Sequence, residues 1–144
     1  MKRTFLNGDK DFAIKAKNHL ESRALDFKRF MEMDDYENED NAYYLGSFYD
    51  YGLSFSYTAP GTFADQHEGY FCFQLSWGGP SDEVRFYYDM GAKYPYRIEY
   101  VFMDWGTGAG YDVTDEDWAI WLFGWFDGCD SFRHEYEKAM EESY

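Results

Sequence analysis

The fold is decided by the stretch YFCFQLSWGGP, residues 70–80, in which an aromatic-rich run ends in two glycines and a proline. Aromatic residues favour β-strands and a Gly-Gly-Pro sequence ends them, so a strand is predicted over residues 70–77. The sequence predicts one strand before this one, over residues 53–58, and two after it, over residues 83–90 and 96–105. The connections between successive strands are short, which favours an antiparallel meander.

Helical patterns lie on both sides of these strands. Apolar residues recur every three or four positions over residues 9–33, which predicts a long N-terminal helix. After the strands, Thr114 is predicted to cap a second helix, and residues 131–142 are predicted to form a polar closing helix. The apolar face of the second helix is expected to consist of Trp118, Trp121, Leu122 and Trp125. The glycine-rich residues 106–110 are interpreted as a loop between the last strand and this helix.

The order of these elements predicts an α+β fold and one domain, residues 1–144. In this fold an N-terminal helix precedes a four-stranded antiparallel sheet, and C-terminal helices pack on the sheet. Phe, Tyr and Trp together make up 24% of the chain, so the core is expected to be built from rings. Many of the 15 Tyr hydroxyls are expected at the surface, where they suit contact with another protein.

The sequence also predicts a compartment. No run of about 20 apolar residues is long enough to cross a membrane, and the N-terminal charges precede no apolar signal region. Cys72 and Cys129 lie in apolar-rich segments and are expected to be buried, reduced thiols. A cytoplasmic protein is therefore predicted.

Charge is distributed unevenly along the chain. Residues 1–29 contain 8 Lys and Arg and 4 Asp and Glu, whereas residues 30–144 contain 5 basic and 24 acidic residues. The net charge is −15, which repels nucleic acid and anionic membranes and accelerates encounter with basic partners. The expected partner is a basic surface, as found on proteins that handle nucleic acid. The alternative is that the acidity serves solubility alone.

The strongest candidate for a contact surface is the acidic connector, residues 34–41, in which five carboxylates fall within seven residues and which Tyr43 and Tyr44 follow. In an extended segment, alternate side chains on one side lie about 6.6 Å apart, a row of anions that a groove lined by Lys and Arg accepts in place of phosphates. The alternative is a solvated run of mutually repelling charges. The predicted partner-binding residues are Asp34, Asp35, Tyr36, Glu37, Glu39, Asp40, Tyr43 and Tyr44.

Motifs of known chemistry are scarce. The sequence contains no nucleophile elbow and no zinc-protease helix. Asp65, His67 and Glu68 form its closest grouping of carboxylates and histidine, which could bind a metal or act as acid and base. The glycine-rich residues 106–110 lack the lysine of a phosphate-binding loop and lie among carboxylates. No catalytic residue, metal or other cofactor is therefore expected.

Residues 54–63, 69–71 and 74–83 resemble small uncharacterised proteins of plasmids and phages, which are likewise acidic and aromatic-rich and have a similar length. In size and charge the chain is similar to anti-restriction and anti-CRISPR proteins, several of which imitate DNA. The matching residues carry no catalytic signature. The resemblance therefore implies an inhibitor from a mobile element without indicating its site residues.

Charge and resemblance together predict a non-enzymatic inhibitor that binds a basic defence complex of the host cell, either a CRISPR effector or a restriction enzyme. Aromatic anchors would supply the specificity and charge the rate of encounter. Neither nucleic acid nor a membrane is expected to bind directly. Two alternatives stay open: an immunity protein or antitoxin against a nuclease toxin, and a small metal-dependent enzyme that uses Asp65, His67 and Glu68.

Overall fold

One antiparallel sheet organises the chain in the computed structural model, which describes residues 1–32 and 46–142. The strands are β1 (Lys2–Asn7), β2 (Ser54–Thr58), β3 (Tyr70–Ser76), β4 (Ser81–Tyr87), β5 (Arg97–Asp104) and β6 (Thr107–Asp112). Their order across the sheet is β1-β6-β5-β4-β3-β2. The helices are α1 (Lys10–Glu32), α2 (Phe48–Tyr51), α3 (Asp117–Gly128) and α4 (Ser131–Glu142). The class is α+β.

The predicted four-stranded sheet with a single N-terminal helix is wrong, because the sheet has six strands and the described residues form four helices. Strands β2 to β5 lie where four strands were predicted, and they form consecutive antiparallel pairs. The missed strand β1 precedes α1 and pairs with β6, while β6 replaces the predicted glycine-rich loop.

The glycines of β6 have a packing reason. A Cβ on Gly110 would lie 2.5 Å from both the Phe5 ring and Thr4 Oγ1, and a Cβ on Gly108 would lie 3.3 Å from the Phe5 ring. The side chains of β1 therefore occupy the space above β6, and glycine in this strand marks a close approach rather than a loop.

The helices cover one face of the sheet and enclose an aromatic core. Phe71 pairs with Phe86 across β3 and β4, and Phe86 pairs with Ile98 across β4 and β5. All three side chains are fully buried. From the helices, the Phe27 ring stacks on Trp118 with centroids 5.3 Å apart. The expectation of a ring-built core is confirmed for the described residues.

A buried ion pair joins α1 to this face of the sheet. Asp82, which is 2% exposed, accepts hydrogen bonds from Arg23 Nε at 2.8 Å and Arg23 Nη2 at 3.1 Å. It also accepts from Tyr100 OH at 2.7 Å and Ser76 Oγ at 2.5 Å. Burial alone would raise the pKa of Asp82, but these hydrogen bonds and the charge of Arg23 lower it overall. The carboxylate therefore stays ionised inside the protein.

The start of α3 differs from the prediction. Glu116 is its N-cap residue and makes no side-chain capping bond, whereas the Thr114 hydroxyl accepts a hydrogen bond from the backbone N–H of Ile98 at 2.9 Å. Thr114 therefore ties the segment before α3 to β5 instead of capping the helix. On the predicted apolar face, Trp118 and Leu122 are fully buried, and Trp121 and Trp125 are partly buried.

Candidate functional site: a cleft on the helix-free face

All eight predicted partner-binding residues, in the acidic connector and directly after it, lie outside the described residues. They are Asp34, Asp35, Tyr36, Glu37, Glu39, Asp40, Tyr43 and Tyr44. The connector joins the end of α1 to the start of α2. The role of these residues stays a prediction.

The sheet has a second face on which no described helix packs, here called the helix-free face. Side chains of β3, β4 and β5 that alternate with the core residues lie on it. Tyr70, Cys72 and Tyr87 form a small buried cluster there, separate from the main core. The buried polar side chains Gln74, Ser81, Glu83 and Glu99 also belong to this face.

A cleft of about 630 Å³ lies between this face and the loop of residues 63–68. The sheet contributes Tyr70, Glu83, Arg85 and Tyr87 to its lining. A neighbouring cleft of about 350 Å³ runs along β5 and β6. Arg85 and Met103 line both clefts, so the two adjoin. A concave surface with a few polar groups at its base is the usual form of a binding site.

Exposed aromatic side chains surround these clefts. In the larger cleft, Phe63 is 60% exposed and Trp77 is 78% exposed. Beside the smaller cleft, Trp105 is 92% exposed. Strands β3 and β5 run in the same direction, because each is antiparallel to β4, which lies between them. Trp77 follows β3 and Trp105 follows β5, so both tryptophans lie at the same end of the sheet. Large exposed rings beside a concave surface are typical of interaction sites.

The backbone has positive φ at Asp65 on the 63–68 loop (58°) and at Trp105 (47°). Trp105 and Gly106 form the two-residue turn between the antiparallel strands β5 and β6, a turn type that requires positive φ at both positions. Asp130, which lines neither cleft, also has positive φ (61°). Backbone conformation therefore positions Trp105 beside the smaller cleft but does not by itself mark the clefts as a functional region.

Charged groups at the base of the larger cleft are paired. Arg85 Nε donates to Glu83 Oε2 at 2.7 Å, and the Arg85 guanidinium lies over the Tyr70 ring, 4.6 Å from its centroid. Burial alone would lower the pKa of Arg85, but the negative charge of Glu83 raises it overall, so the guanidinium is charged. Cys72 Sγ lies 3.2 Å from Glu83 Oε2. Burial, followed by the charge of Glu83, raises the pKa of the Cys72 thiol, which therefore is not an activated nucleophile.

At the edge of the cleft, a second arginine stacks on a tyrosine. The Arg97 guanidinium lies 3.8 Å from the centroid of the Tyr87 ring. Arg97 Nη2 donates to Glu68 Oε2 at 3.1 Å, and Tyr96 OH donates to Glu68 Oε1 at 2.8 Å. The hydrogen bond from Tyr96, followed by the interactions with Arg97, lowers the pKa of Glu68. Burial, followed by the same hydrogen bond, raises the pKa of Tyr96 to about 12.

The residues singled out for metal chemistry do not assemble a metal centre. Asp65, His67 and Glu68 all line the larger cleft. Within residues 1–32 and 46–142, however, no group of three His, Cys, Asp or Glu side chains is placed to hold a metal ion. Both Glu68 oxygens already accept hydrogen bonds from Tyr96 and Arg97.

The two cysteines differ from each other. Cys72 is buried, as expected, whereas Cys129 is exposed, so its predicted burial is wrong. Cys129 follows α3 at the turn toward α4, where the chain leaves the core. Both thiols are free.

The chain matches no protein-family model, and no curated protein or solved structure is significantly similar to it. Among the described helices, none is both long and apolar enough to cross a membrane. Function is therefore inferred from the residues of this chain alone.

Sequence reasoning missed most of the cleft, although one signal pointed to it. Glu83 and Arg85 alternate with the apolar Val84 and Phe86, so the two polar residues had to share the face opposite the core. Trp77 gave no such signal, because the alternation of the core residues in β3 assigns it to the core face. The register of β3 shifts after Gln74, so this alternation does not continue to Trp77.

Proposed function

We propose that this chain is a non-enzymatic binding protein that inhibits a basic, nucleic-acid-handling defence complex, a CRISPR effector or a restriction enzyme, in the host cytoplasm. One observation carries the proposal: an open aromatic cleft lies in a strongly acidic part of the chain. Residues 46–142 contain 18 acidic and 5 basic residues. A surface of this kind attracts basic partners over a distance, and exposed rings supply the contacts that hold them.

The charge and the aromatic groups have separate roles in this proposal. Long-range attraction sets the rate of association and weakens as salt shortens the Debye length. Desolvated rings and their immediate neighbours set the rate of dissociation. The acidic connector contributes to the first role, since it adds five carboxylates between α1 and α2.

The test measures DNA cleavage by purified CRISPR effectors and restriction enzymes with increasing amounts of the protein. We expect stoichiometric inhibition of at least one of these enzymes, weakening by about tenfold or more when salt rises from about 0.05 M to about 0.5 M. A protein that inhibits none of them while it neutralises a nuclease toxin would be an immunity protein, and the proposal would be wrong.

A pair of charge variants tests the connector. In the connector variant Asp34, Asp35 and Asp40 are changed to Asn, and Glu37 and Glu39 to Gln. The control variant removes five exposed charges elsewhere by the same chemistry, at Asp50, Asp89, Asp127, Glu141 and Glu142. We expect slower association and inhibition weakened by orders of magnitude for the connector variant alone, with little change in Tm. Equal inhibition by both variants would show that the connector is a solvated segment with no particular role in binding.

A further inference from the structure

We infer that the larger cleft on the helix-free face receives an arginine side chain from an extended basic segment of the partner. The identity of the partner rests on the proposed function, but the chemistry of the cleft does not. Four observations carry the inference: ring stacking already present on this face, carboxylate oxygens without a described partner, the volume of the cleft and its exposed aromatic rim.

The helix-free face already holds guanidinium groups against aromatic rings. Arg85 lies 4.6 Å from the centroid of Tyr70, and Arg97 lies 3.8 Å from that of Tyr87. Phe63 and Trp77 add two exposed rings to the same cleft. A planar guanidinium stacks on such rings more favourably than a compact ammonium does. An incoming arginine that stacks on Phe63 or Trp77 would therefore make the same kind of contact that Arg85 and Arg97 make with tyrosine rings.

Carboxylates give the cleft its charge preference. Asp65, Glu68 and Glu83 line it. Arg85 pairs with Glu83 and Arg97 pairs with Glu68, whereas Asp65 has no cationic partner within the described part of the chain. Among the described residues, the hydrogen bonds accepted by Glu83 both fall on Oε2, and none involves the Asp65 carboxylate. Glu83 Oε1 and the Asp65 oxygens are thus left for donors from a ligand. Arginine provides such donors in a planar, forked arrangement that fits carboxylates.

Size and openness favour a segment of chain over a free small molecule. At about 630 Å³ the cleft exceeds the volume of one side chain, and it adjoins a second cleft along β5 and β6. An extended segment can place one arginine in the larger cleft while its neighbouring residues pass toward Trp105, which is 92% exposed. The net acidity of the chain favours basic segments over acidic ones.

The test uses the full-length protein and two fluorescent peptides, three repeats of Gly-Ser-Arg and three repeats of Gly-Ser-Lys. Fluorescence anisotropy at about 0.15 M salt, near physiological ionic strength, measures the dissociation constants. The cleft variant combines Phe63→Ala and Trp77→Ala, and the control variant combines Tyr49→Ala and Leu53→Ala. All four side chains are at least 60% exposed, and neither variant changes the net charge.

We expect the arginine peptide to bind more tightly than the lysine peptide, and the cleft variant to weaken its binding about tenfold. The control variant is expected to bind like the wild type. The single variant Asp65→Asn should also weaken binding, and it retains a residue type that tolerates positive φ. Circular dichroism confirms that each variant is folded.

Equal affinity of the cleft and control variants for the arginine peptide would overturn the inference, as would equal affinity of the wild type for the two peptides. The inference and the proposed function fail in different ways. If the wild type inhibits a defence nuclease but the cleft variant binds the arginine peptide as tightly as the wild type does, the inference alone is wrong. If peptide binding depends on both rings but no defence nuclease is inhibited, the inference stands and the proposed function is wrong.

Discussion

Asp82 attaches α1 to the sheet through a buried ion pair with Arg23. Its carboxylate is 2% exposed and faces Arg23, Ser76 and Tyr100. Asp82→Asn keeps the shape but leaves the partly buried Arg23 guanidinium without its counter-charge. We expect the free energy of unfolding to fall by about 3–5 kcal/mol, measured by urea denaturation at pH 7. The control Asp89→Asn, at an exposed position, should change it by less than about 0.5 kcal/mol.

The same residue makes the free energy of unfolding depend on pH at the acidic end of the range. Because folding lowers the pKa of Asp82 below its ordinary value of 3.8, the ion pair stabilises the protein above that value. This stabilisation is lost as pH falls through the lower pKa of the folded state. The difference in unfolding free energy between wild type and Asp82→Asn should therefore shrink below about pH 4. A difference that is constant down to about pH 2 would show that Asp82 does not act through its charge.

At the scale of elements, the pairing of β1 with β6 can be tested by adding one methyl group. A Cβ on Gly110 would lie 2.5 Å from the side chains of Phe5 and Thr4, and Thr4 also donates a hydrogen bond to Glu99. We expect Gly110→Ala to cost about 1–3 kcal/mol, because it overpacks this contact. The measurement is the midpoint of chemical denaturation.

Gly124→Ala is the matched control for this substitution. Gly124 lies within α3, and nothing lies within 4 Å of the position its Cβ would take. Alanine is the better helix former, so we expect a gain of about 0.5–1 kcal/mol. The same chemical change should thus have opposite signs in the two elements. A neutral Gly110→Ala would contradict the placement of β1 over β6.

The elements that the sequence predicted are those whose patterns are local. Strand β2 alternates aromatic and polar side chains, β3 to β5 are aromatic-rich or apolar-rich runs bounded by turn residues, and α1 has a clear helical repeat. Strand β6 lacks the usual alternation of side chains because it has glycine where side chains of β1 pack against it. The strand β1 is itself short and mostly exposed, and its Thr4 bonds to Glu99, 95 residues further along the chain. The residues around β1 therefore give no indication in the sequence that this strand pairs with β6.

The candidate site was predictable only in part, because it depends on which strands become neighbours. The sequence drew attention to Asp65, His67 and Glu68, and these residues do line the cleft. Metal binding or acid–base catalysis by these residues was the alternative to a solvated loop, whereas the structure places Glu68 against Tyr96 and Arg97. Arg97 comes to Glu68 through the sheet and not through nearness in sequence.

At the scale of the whole molecule, the net charge predicts that the protein does not bind nucleic acid. We expect no binding to duplex DNA or RNA at physiological salt, because a net charge of −15 opposes a polyanion. The basic region of the chain, α1, is partly neutralised within the fold. Lys15 pairs with Asp104 at 3.0 Å, and Arg29 lies 4.0 Å from Asp26.

An electrophoretic mobility assay with duplex DNA and purified protein checks this expectation. The variant Lys17→Gln/Lys28→Gln provides a control, since it removes two charges of α1 that form no ion pair among the described residues. Wild type and variant should both leave the DNA unshifted at micromolar concentrations. A salt-sensitive shift by the wild type that the variant lacks would make α1 a nucleic-acid contact. Such a result would contradict the expectation that the chain does not bind nucleic acid directly.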